Sequence, residues 1–478
     1  MRYLLCVLVL MLAPVRATAE NVVYIELDDA TACYIGVYTA AHAECIEAYS
    51  TPEIDILANA GVRFDKAWAE PVCSPARATA LTGTHPREHG VGTATDIQAA
   101  SSKVALSAAR PNLARTLEAA GVHTYTFGKW HLGREEQGAG LPIHPSQMGF
   151  TGGRGSLGNL DKTSIPGPTP AREGGVGYYD WQMCDFMTGV CAVETTYATQ
   201  FTIDDAIEVL DNTEPWYMAI NFNAPHSPFH VPPDDLIGGP DVLCDDIDTD
   251  DDHICYNRAI LAIDTAIGLL VNHVNYDPTD TKIFITADNG TSYGVAVEAQ
   301  PLWEAGRCKS SVGECGLWVP MIASGAGIGV GTTSTLIQRT DIHATILDIF
   351  GVQNPGAAWD SGSFLPMAPP SYDYSGKSFL PFLVDPSRTG GRSCIYAEQF
   401  RIDPDTGATL NRHQAIRDAT HKLIRHDDAG ADPAEECFLV ADIREAVADR
   451  IALPDANCTA LGAKLDVMHD VGDICSGN

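Results

Sequence analysis

The stretch Asn21-Val22-Val23-Tyr24-Ile25-Glu26-Leu27-Asp28-Asp29 decides the fold. Its run from Val22 to Leu27 has strand length and reads as a buried strand that stops at two acids. Three further runs repeat the arrangement. Thr124 to Phe127 leads into Gly128-Lys129-Trp130-His131, Trp216 to Phe222 into Pro225-His226-Ser227-Pro228, and Lys282 to Ala287 into Asp288-Asn289-Gly290. Helix patterns lie between and after them: Pro111 to Ala120 with Gly121 as the stop, Thr202 to Leu210, Tyr256 to Val274, and Asp341 to Phe350. Alternation of strands and helices predicts an α/β fold, a large, mostly parallel mixed sheet with helices on both faces. Ligands bind such sheets beyond the carboxyl ends of the strands. Four strands therefore deliver polar groups to one rim.

The 478 residues are 45% hydrophobic and 19% charged, a globular composition. Sixty-two acids stand against 30 basic residues, a formal net charge of −32. That excludes a general nucleic-acid binder, because little would neutralise the phosphates, and it disfavours adhesion to anionic membranes. Leu157 to Gly177 and Gly351 to Pro370 read as long surface loops. Beyond the second, Cys394 to Gln399, Gln414 to Arg417 and Lys422 to Arg425 read as short strands. The expected organisation is a main α/β domain over 20–375 and a smaller C-terminal α+β unit with an antiparallel sheet over 376–478.

Arg2, the apolar run Leu4 to Leu12 and Ala17-Thr18-Ala19 form a secretory signal over residues 1–19, which implies a secreted or periplasmic protein. That run is too short to span a bilayer. No later stretch reads as long and apolar enough, so no stable membrane insertion is expected. Fourteen cysteines suit an oxidising compartment. Removal of Cys6 leaves an odd number, which flags one thiol, Cys73, for another task. Neighbour spacing pairs Cys33 with Cys45, Cys184 with Cys191, Cys244 with Cys255, Cys308 with Cys315 and Cys458 with Cys475, leaving Cys394 for Cys437.

Asp28, Asp29, Asp288 and Asn289 are hard oxygen donors, a set for Ca²⁺ or Mg²⁺ and not for zinc or copper. Three carboxylates on one rim would repel one another without a cation. Lys129, His131, His226 and Lys309 add positive charge and proton carriers. A metal flanked by Lys and His suits a substrate with a tetrahedral anionic group. Cys73-Ser74-Pro75-Ala76-Arg77-Ala78-Thr79-Ala80-Leu81-Thr82-Gly83 reads as a helix with Pro75 in its first turn. Cys73 then sits at the helix N-terminus, where negative charge is favoured, and Arg77 faces the same side one turn on. His42, His85, His89, His123 and His343 read as structural. The acidic loop Asp245 to Asp252 reads as a solvated surface, with an extra Ca²⁺ site as its alternative. Asn457-Cys458-Thr459 is a glycosylation sequon, relevant in a eukaryotic host.

The Cys73 segment resembles the C-x-P-x-R signature of the type I, formylglycine-dependent sulfatases of the alkaline phosphatase-like superfamily. Other features match in order: Asn21 to Asp29, Gly128-Lys129-Trp130-His131-Leu132-Gly133, Ala224-Pro225-His226-Ser227-Pro228, Thr286-Ala287-Asp288-Asn289-Gly290, and Lys309 before Val319-Pro320. Gly376-Lys377-Ser378-Phe379-Leu380 and Ala415-Ile416-Arg417 resemble the C-terminal elements, so the resemblance covers nearly the whole chain after the signal. It implies a sulfuric ester hydrolase in which a formylglycine-generating enzyme oxidises Cys73 to Cα-formylglycine before folding. The hydrated aldehyde attacks sulfur, and collapse of the second hydroxyl expels sulfate. Arg77 and Lys129 would polarise the formylglycine, His131 would take the proton, and His226 and Lys309 would bind sulfate and assist the leaving oxygen. Asp28, Asp29, residue 73, Asp288 and Asn289 would hold the metal, Ca²⁺ ahead of Mg²⁺.

The chain departs from the family pattern at Ala76, usually Ser, and at Ala30-Thr31, where the Asp pair is usually followed by Leu-Gly. It departs again in Glu314-Cys315-Gly316-Leu317-Trp318-Val319-Pro320, where Cys315 replaces a glycine and Trp318 an arginine. A Cys308–Cys315 bridge would then stiffen the loop around Lys309. Two other readings keep the same residues: a phosphonate or phosphate ester hydrolase, and a secreted metal-binding protein whose Cys73 stays unconverted. The negative charge favours a small or lightly sulfated ester, aryl or saccharide, over a highly sulfated polymer.

Overall fold

The computed structural model describes residues 20–42, 45, 49–95, 105–133, 140–160, 177–212, 215–240, 244, 252–299, 306–353, 375–403, 408–427, 434–440, 450–471 and 475. The expected signal segment, 1–19, lies outside them, as do 161–176 and 354–370 of the two expected loops and 245–251 of the acidic loop.

Seven strands form the main sheet: β1 (Asn21–Leu27), β2 (Val62–Phe64), β3 (His123–Gly128), β4 (Trp216–Asn221), β5 (Thr281–Ala287), β6 (Met321–Gly325) and β7 (Gly331–Thr333). Their order is β7-β2-β6-β5-β1-β4-β3, and β6 alone runs antiparallel to its neighbours. β1, β4 and β5 are buried at every position, as a sheet covered on both faces requires. The register sets the rim. Leu27 lies opposite Ala287, while Glu26 and Gly128 both lie opposite Asn221. Asp28, Asp288, Lys129 and the turn after Asn221 therefore leave the sheet at one level. Gly128 must be glycine, because its φ is 81° and a Cβ would stand 2.0 Å from the Asn221 carbonyl oxygen.

Helices α1 (Pro52–Asn59), α4 (Ala198–Ile207) and α5 (Asp252–Val271) pack together on one face. Helices α2 (Cys73–Thr82), α3 (Leu113–Ala119) and α6 (Thr340–Ile349) pack together on the other. α3 starts later than Pro111, because the Asn112 side chain accepts a hydrogen bond from the Arg115 N–H at 3.1 Å and caps it. α5 corrects the expectation that no later stretch is long and apolar enough to span a bilayer. Its 20 residues are long and apolar enough by composition, and most of that apolar stretch is buried within the protein. An apolar core helix passes the same test of length and composition as a spanning one.

The C-terminal sheet is antiparallel, with β8 (Ile395–Ile402), β9 (Thr409–Arg417), β10 (His421–His426) and β11 (Glu435–Leu439) in sequential order. The fourth strand, the helix α7 (Ala456–Val471) and a small antiparallel sheet of Arg154–Gly155, Trp181–Asp185 and Cys191–Glu194 go beyond the sequence expectation. One face of the C-terminal sheet packs Tyr396, Ile416 and Leu423 against Leu461 and Leu465 of α7. Its other face packs Ile395, Ala397, Ala415, Ile424 and Phe438 onto Trp68, Val312, Leu317 and Leu336. The sheet is thereby tied to the main unit.

Four disulfides pair as expected: Cys33–Cys45, Cys184–Cys191, Cys244–Cys255 and Cys308–Cys315. Two do not. Cys394 bonds Cys475, and Cys437 bonds Cys458, in place of Cys458–Cys475 and Cys394–Cys437. Packing of α7 on the sheet explains the exchange: its first turn brings Cys458 to β11, and its far end returns Cys475 to the start of β8. Among the described residues, Cys73 is the free cysteine, and it is buried.

Candidate active site

β1 ends one residue before Asp28, and Asp29 then turns with φ 73°, a left-handed conformation that Asp tolerates. The turn gathers the acids of β1 and β5. Asp288 Oδ1 accepts the N–H of Asp29 at 3.0 Å and that of Asn289 at 2.8 Å. Asn289 Nδ2 donates to Asp29 Oδ1 at 2.7 Å. Arg77, one turn into α2, donates to Asp288 Oδ2 from Nη2 at 2.8 Å and Nε at 3.1 Å. Lys129 pairs with Asp28 Oδ2, and Lys309 with Asp29 Oδ2 at 2.6 Å. His226 Nε2 lies 3.8 Å from the same Asp29 oxygen.

Burial works to raise all three carboxyls, with different outcomes. Lys129 and His226 overcome it at Asp28, and Lys309 and His226 at Asp29, so both are held below the usual carboxylate range. Asp288 is pushed up by burial and by the negative Asp28 beside it. This is the like-charge conflict expected of three acids on one rim. Asp28 Oδ1 and Asn289 Oδ1 are buried with no hydrogen-bond partner. Buried acceptors of this kind cost free energy unless something supplies positive charge. Two such oxygens, beside two further carboxylates, fit a hard divalent cation held by Asp28, Asp29, Asp288 and Asn289.

Cys73 opens α2, whose ten residues are all buried and whose end is set by Gly83 at φ 68°. The Cys73 sulfur lies 3.3 Å from His131 Nδ1. Burial raises the thiol against the pull of Lys129 and Lys309, with Asp28 and Asp288 also within electrostatic reach. His131 sits at φ 53° just past β3, and burial together with Lys129 and Arg77 holds it well below the usual histidine range. His226 Nδ1 lies 2.7 Å from the Ser227 carbonyl, to which it donates, so Nε2 turns to the rim. Tyr178 Oη fixes this turn from the carbonyls of Asn223 and His226, each at 2.7 Å. Lys309 N–H donates to Thr291 O at 3.0 Å, next to the Cys308–Cys315 bridge. Trp318, the residue in the unusual position, is buried and donates from Nε1 to Asp65 O at 3.1 Å.

All ten residues singled out in the sequence meet at this rim: Asp28, Asp29, Cys73, Arg77, Lys129, His131, His226, Asp288, Asn289 and Lys309. Glu26, Arg339 and Tyr256 were not anticipated. Glu26 Oε1 lies 3.1 Å from Arg77 Nη1, and its Oε2 meets Arg339 and accepts Tyr24 Oη at 2.8 Å. Arg339 also donates to Ala76 O at 3.2 Å and Ala287 O at 2.9 Å. Tyr256 Oη donates to Asp29 O at 2.5 Å. The signal for Glu26 was available: it is the one charged residue in the apolar run before the Asp pair. Cys437, Asp455 and Cys458 also cluster, but the two sulfurs are bonded to each other.

The chain is similar to several known proteins. Bovine (Bos taurus) arylsulfatase A is 24% identical over 90% of this chain and 85% of its own length. Human (Homo sapiens) N-acetylgalactosamine-6-sulfatase is 26% identical over 83% of this chain and 71% of its own. A solved structure of Ps i-CgsB in complex with k-i-k-neocarrahexaose has the same fold, with a TM-score of 0.70 at 20% identity over 94% of this chain and 92% of that one. The sulfatase family model matches residues 20–352, which include every residue of the rim. The chain belongs to the sulfatase family and is a sulfuric ester hydrolase.

Proposed function

We propose that the chain is an exported sulfatase whose reacting residue is a Cα-formylglycine made from Cys73, with Ca²⁺ at Asp28, Asp29, residue 73, Asp288 and Asn289. Residues 20–375 are read as the catalytic unit and 376–478 as a smaller one. Six disulfides support an oxidising compartment. The observation that carries the reading is the Cys73 sulfur, 3.3 Å from a histidine and set among acids with two partnerless oxygens. An unmodified thiol suits this place poorly, because burial raises it and leaves little thiolate. Burial of residue 73 also supports conversion by a formylglycine-generating enzyme before the chain folds.

When present, the ion supplies Lewis-acid charge and the hydrated formylglycine supplies a nucleophilic hydroxyl with a second that lets sulfate leave. The chain's own residues do the rest. His131, kept neutral at ordinary pH, offers Nδ1 as a proton acceptor at residue 73. Arg77 and Lys129 hold positive charge beside it. With Nδ1 donating to Ser227 O, His226 acts as the imidazolium, whose Nε2–H joins the Lys309 ammonium to bind sulfate oxygens and assist the leaving oxygen. Relatives named arylsulfatase and N-acetylgalactosamine-6-sulfatase support an aryl or saccharide sulfate. The net charge of −32 supports a small or lightly sulfated one.

Protein from a host with the maturation enzyme tests the reading. The peptide bearing residue 73 should be lighter than its cysteine form by roughly eighteen mass units, and an aryl sulfate should turn over faster than aryl phosphate or phosphonate esters. Faster phosphonate or phosphate turnover would establish the ester-hydrolase alternative. An unconverted, inactive protein would establish the metal-binding one.

A further inference from the structure

The loop that carries Lys309 is held from the C-terminal sheet. Arg307, two residues earlier, pairs through Nη2 with Glu436 Oε2 on β11 and lies over the Phe438 ring at 5.4 Å. Cys308 between them is bonded to Cys315. On the other side of Lys309, Ser310 has φ 66°, donates its N–H to Pro71 O at 2.8 Å and accepts Gln399 Nε2 from β8 at 2.7 Å. The far end of the loop is held by Glu314, which meets Arg417 at 3.2 Å and Trp68 Nε1 at 3.0 Å.

Glu436 is built to stay charged. It also faces Arg450 Nε at 2.9 Å and His426 Nε2 at 2.9 Å. Burial pushes its carboxyl up, but His426, Arg307 and Arg450 together bring it down to about 2. A permanent anion buried at the sheet edge, with one of its cations two residues from Lys309, is a fixed anchor for that lysine's backbone. Geometry of this kind matters because a binding group held in place beforehand has less freedom to lose when substrate arrives, which favours affinity.

We propose that Glu436 is a positioning residue for Lys309, acting through Arg307. The inference rests on the reading that Lys309 binds the sulfate of the substrate. It makes the C-terminal sheet a part of sulfate binding without any of its residues having to touch substrate.

The test uses the full-length, converted enzyme with an aryl sulfate, and residue-73 mass confirms equal conversion in every variant. Glu436→Gln and Arg307→Met should each raise KM about tenfold with a smaller change in kcat, since the lost contact acts in ground and transition states alike. The double variant should be no worse than the more affected single, the sign of one shared path. Arg307→Lys should recover most of the affinity. Arg450→Met, which removes a cation from the same carboxylate but not the link to the loop, should stay within about twofold of the parent. Should Glu436→Gln fail to fold, the contrast between Arg307→Met and Arg307→Lys carries the test. The proposal is overturned if Lys309→Met raises KM while Arg307→Met and Glu436→Gln leave it unchanged, or if lysine at 307 does no better than methionine. If Lys309→Met itself leaves KM unchanged, the sulfate-binding reading of Lys309 falls and takes this proposal with it.

Discussion

Arg77 shows how single side chains share the work at the rim. It reaches Asp288 with two nitrogens and Glu26 with a third, and Glu26 in turn meets Arg339. Glu26 therefore bridges two buried guanidiniums. Glu26→Gln leaves Arg77 its Asp288 partner but takes the paired carboxylate from Arg339, and should destabilise the protein by about 3–5 kcal/mol, read from urea unfolding. Reading this residue from sequence was hard for a physical reason. A strand buried on both faces is an apolar run, and one charge inside it registers as a blemish unless its partners are known. Those partners, Arg77 and Arg339, lie far along the chain. Asp28, Asp288 and Lys129 were legible because they end such runs, where a change from apolar to polar is abrupt.

At the scale of elements, local rules did well where neighbours in sequence are neighbours in space. The four parallel strands, and the four disulfides that close separations of 7 to 12 residues, follow from patterns inside one segment. The Cys394–Cys475 and Cys437–Cys458 bridges depend on how α7 lies across the sheet, which no segment encodes by itself. The Lys309 loop combines both kinds of restraint. Replacing Cys308 and Cys315 together with serine removes the local one and leaves Arg307–Glu436 in place. Activity on an aryl sulfate should fall several-fold, about 1 kcal/mol in transition-state terms. Unchanged kinetics would mean that the hydrogen bonds of Lys309 and Ser310 hold the loop without the bridge.

For the whole molecule, stability should depend on pH and on divalent ions. Burial holds His144, His230 and His343 down to about 4 against an ordinary value of 6.5. Between these values the unfolded chain binds protons that the folded chain refuses. Their contribution is complete above pH 6.5 and lost as pH falls toward 4, at up to about 1.4 kcal/mol per pH unit for each. Melting temperature should drop steadily from pH 7 to pH 5, and a flat profile would contradict this burial. Chelation at neutral pH should lower both melting temperature and activity, and Ca²⁺ should restore them. An ion at a hundred times its Kd adds about 2.7 kcal/mol.

The Cys394–Cys475 bond joins two residues 81 positions apart, one at the start of the C-terminal sheet and one past its last helix. That stretch is in effect a covalent ring with the Cys437–Cys458 bond as a spoke. A protease that cuts the backbone anywhere between the two ends opens the ring without releasing a piece. The nicked protein would keep its full mass on a non-reducing gel and split in two only after reduction, so intact migration alone says nothing about whether the chain has been cleaved there.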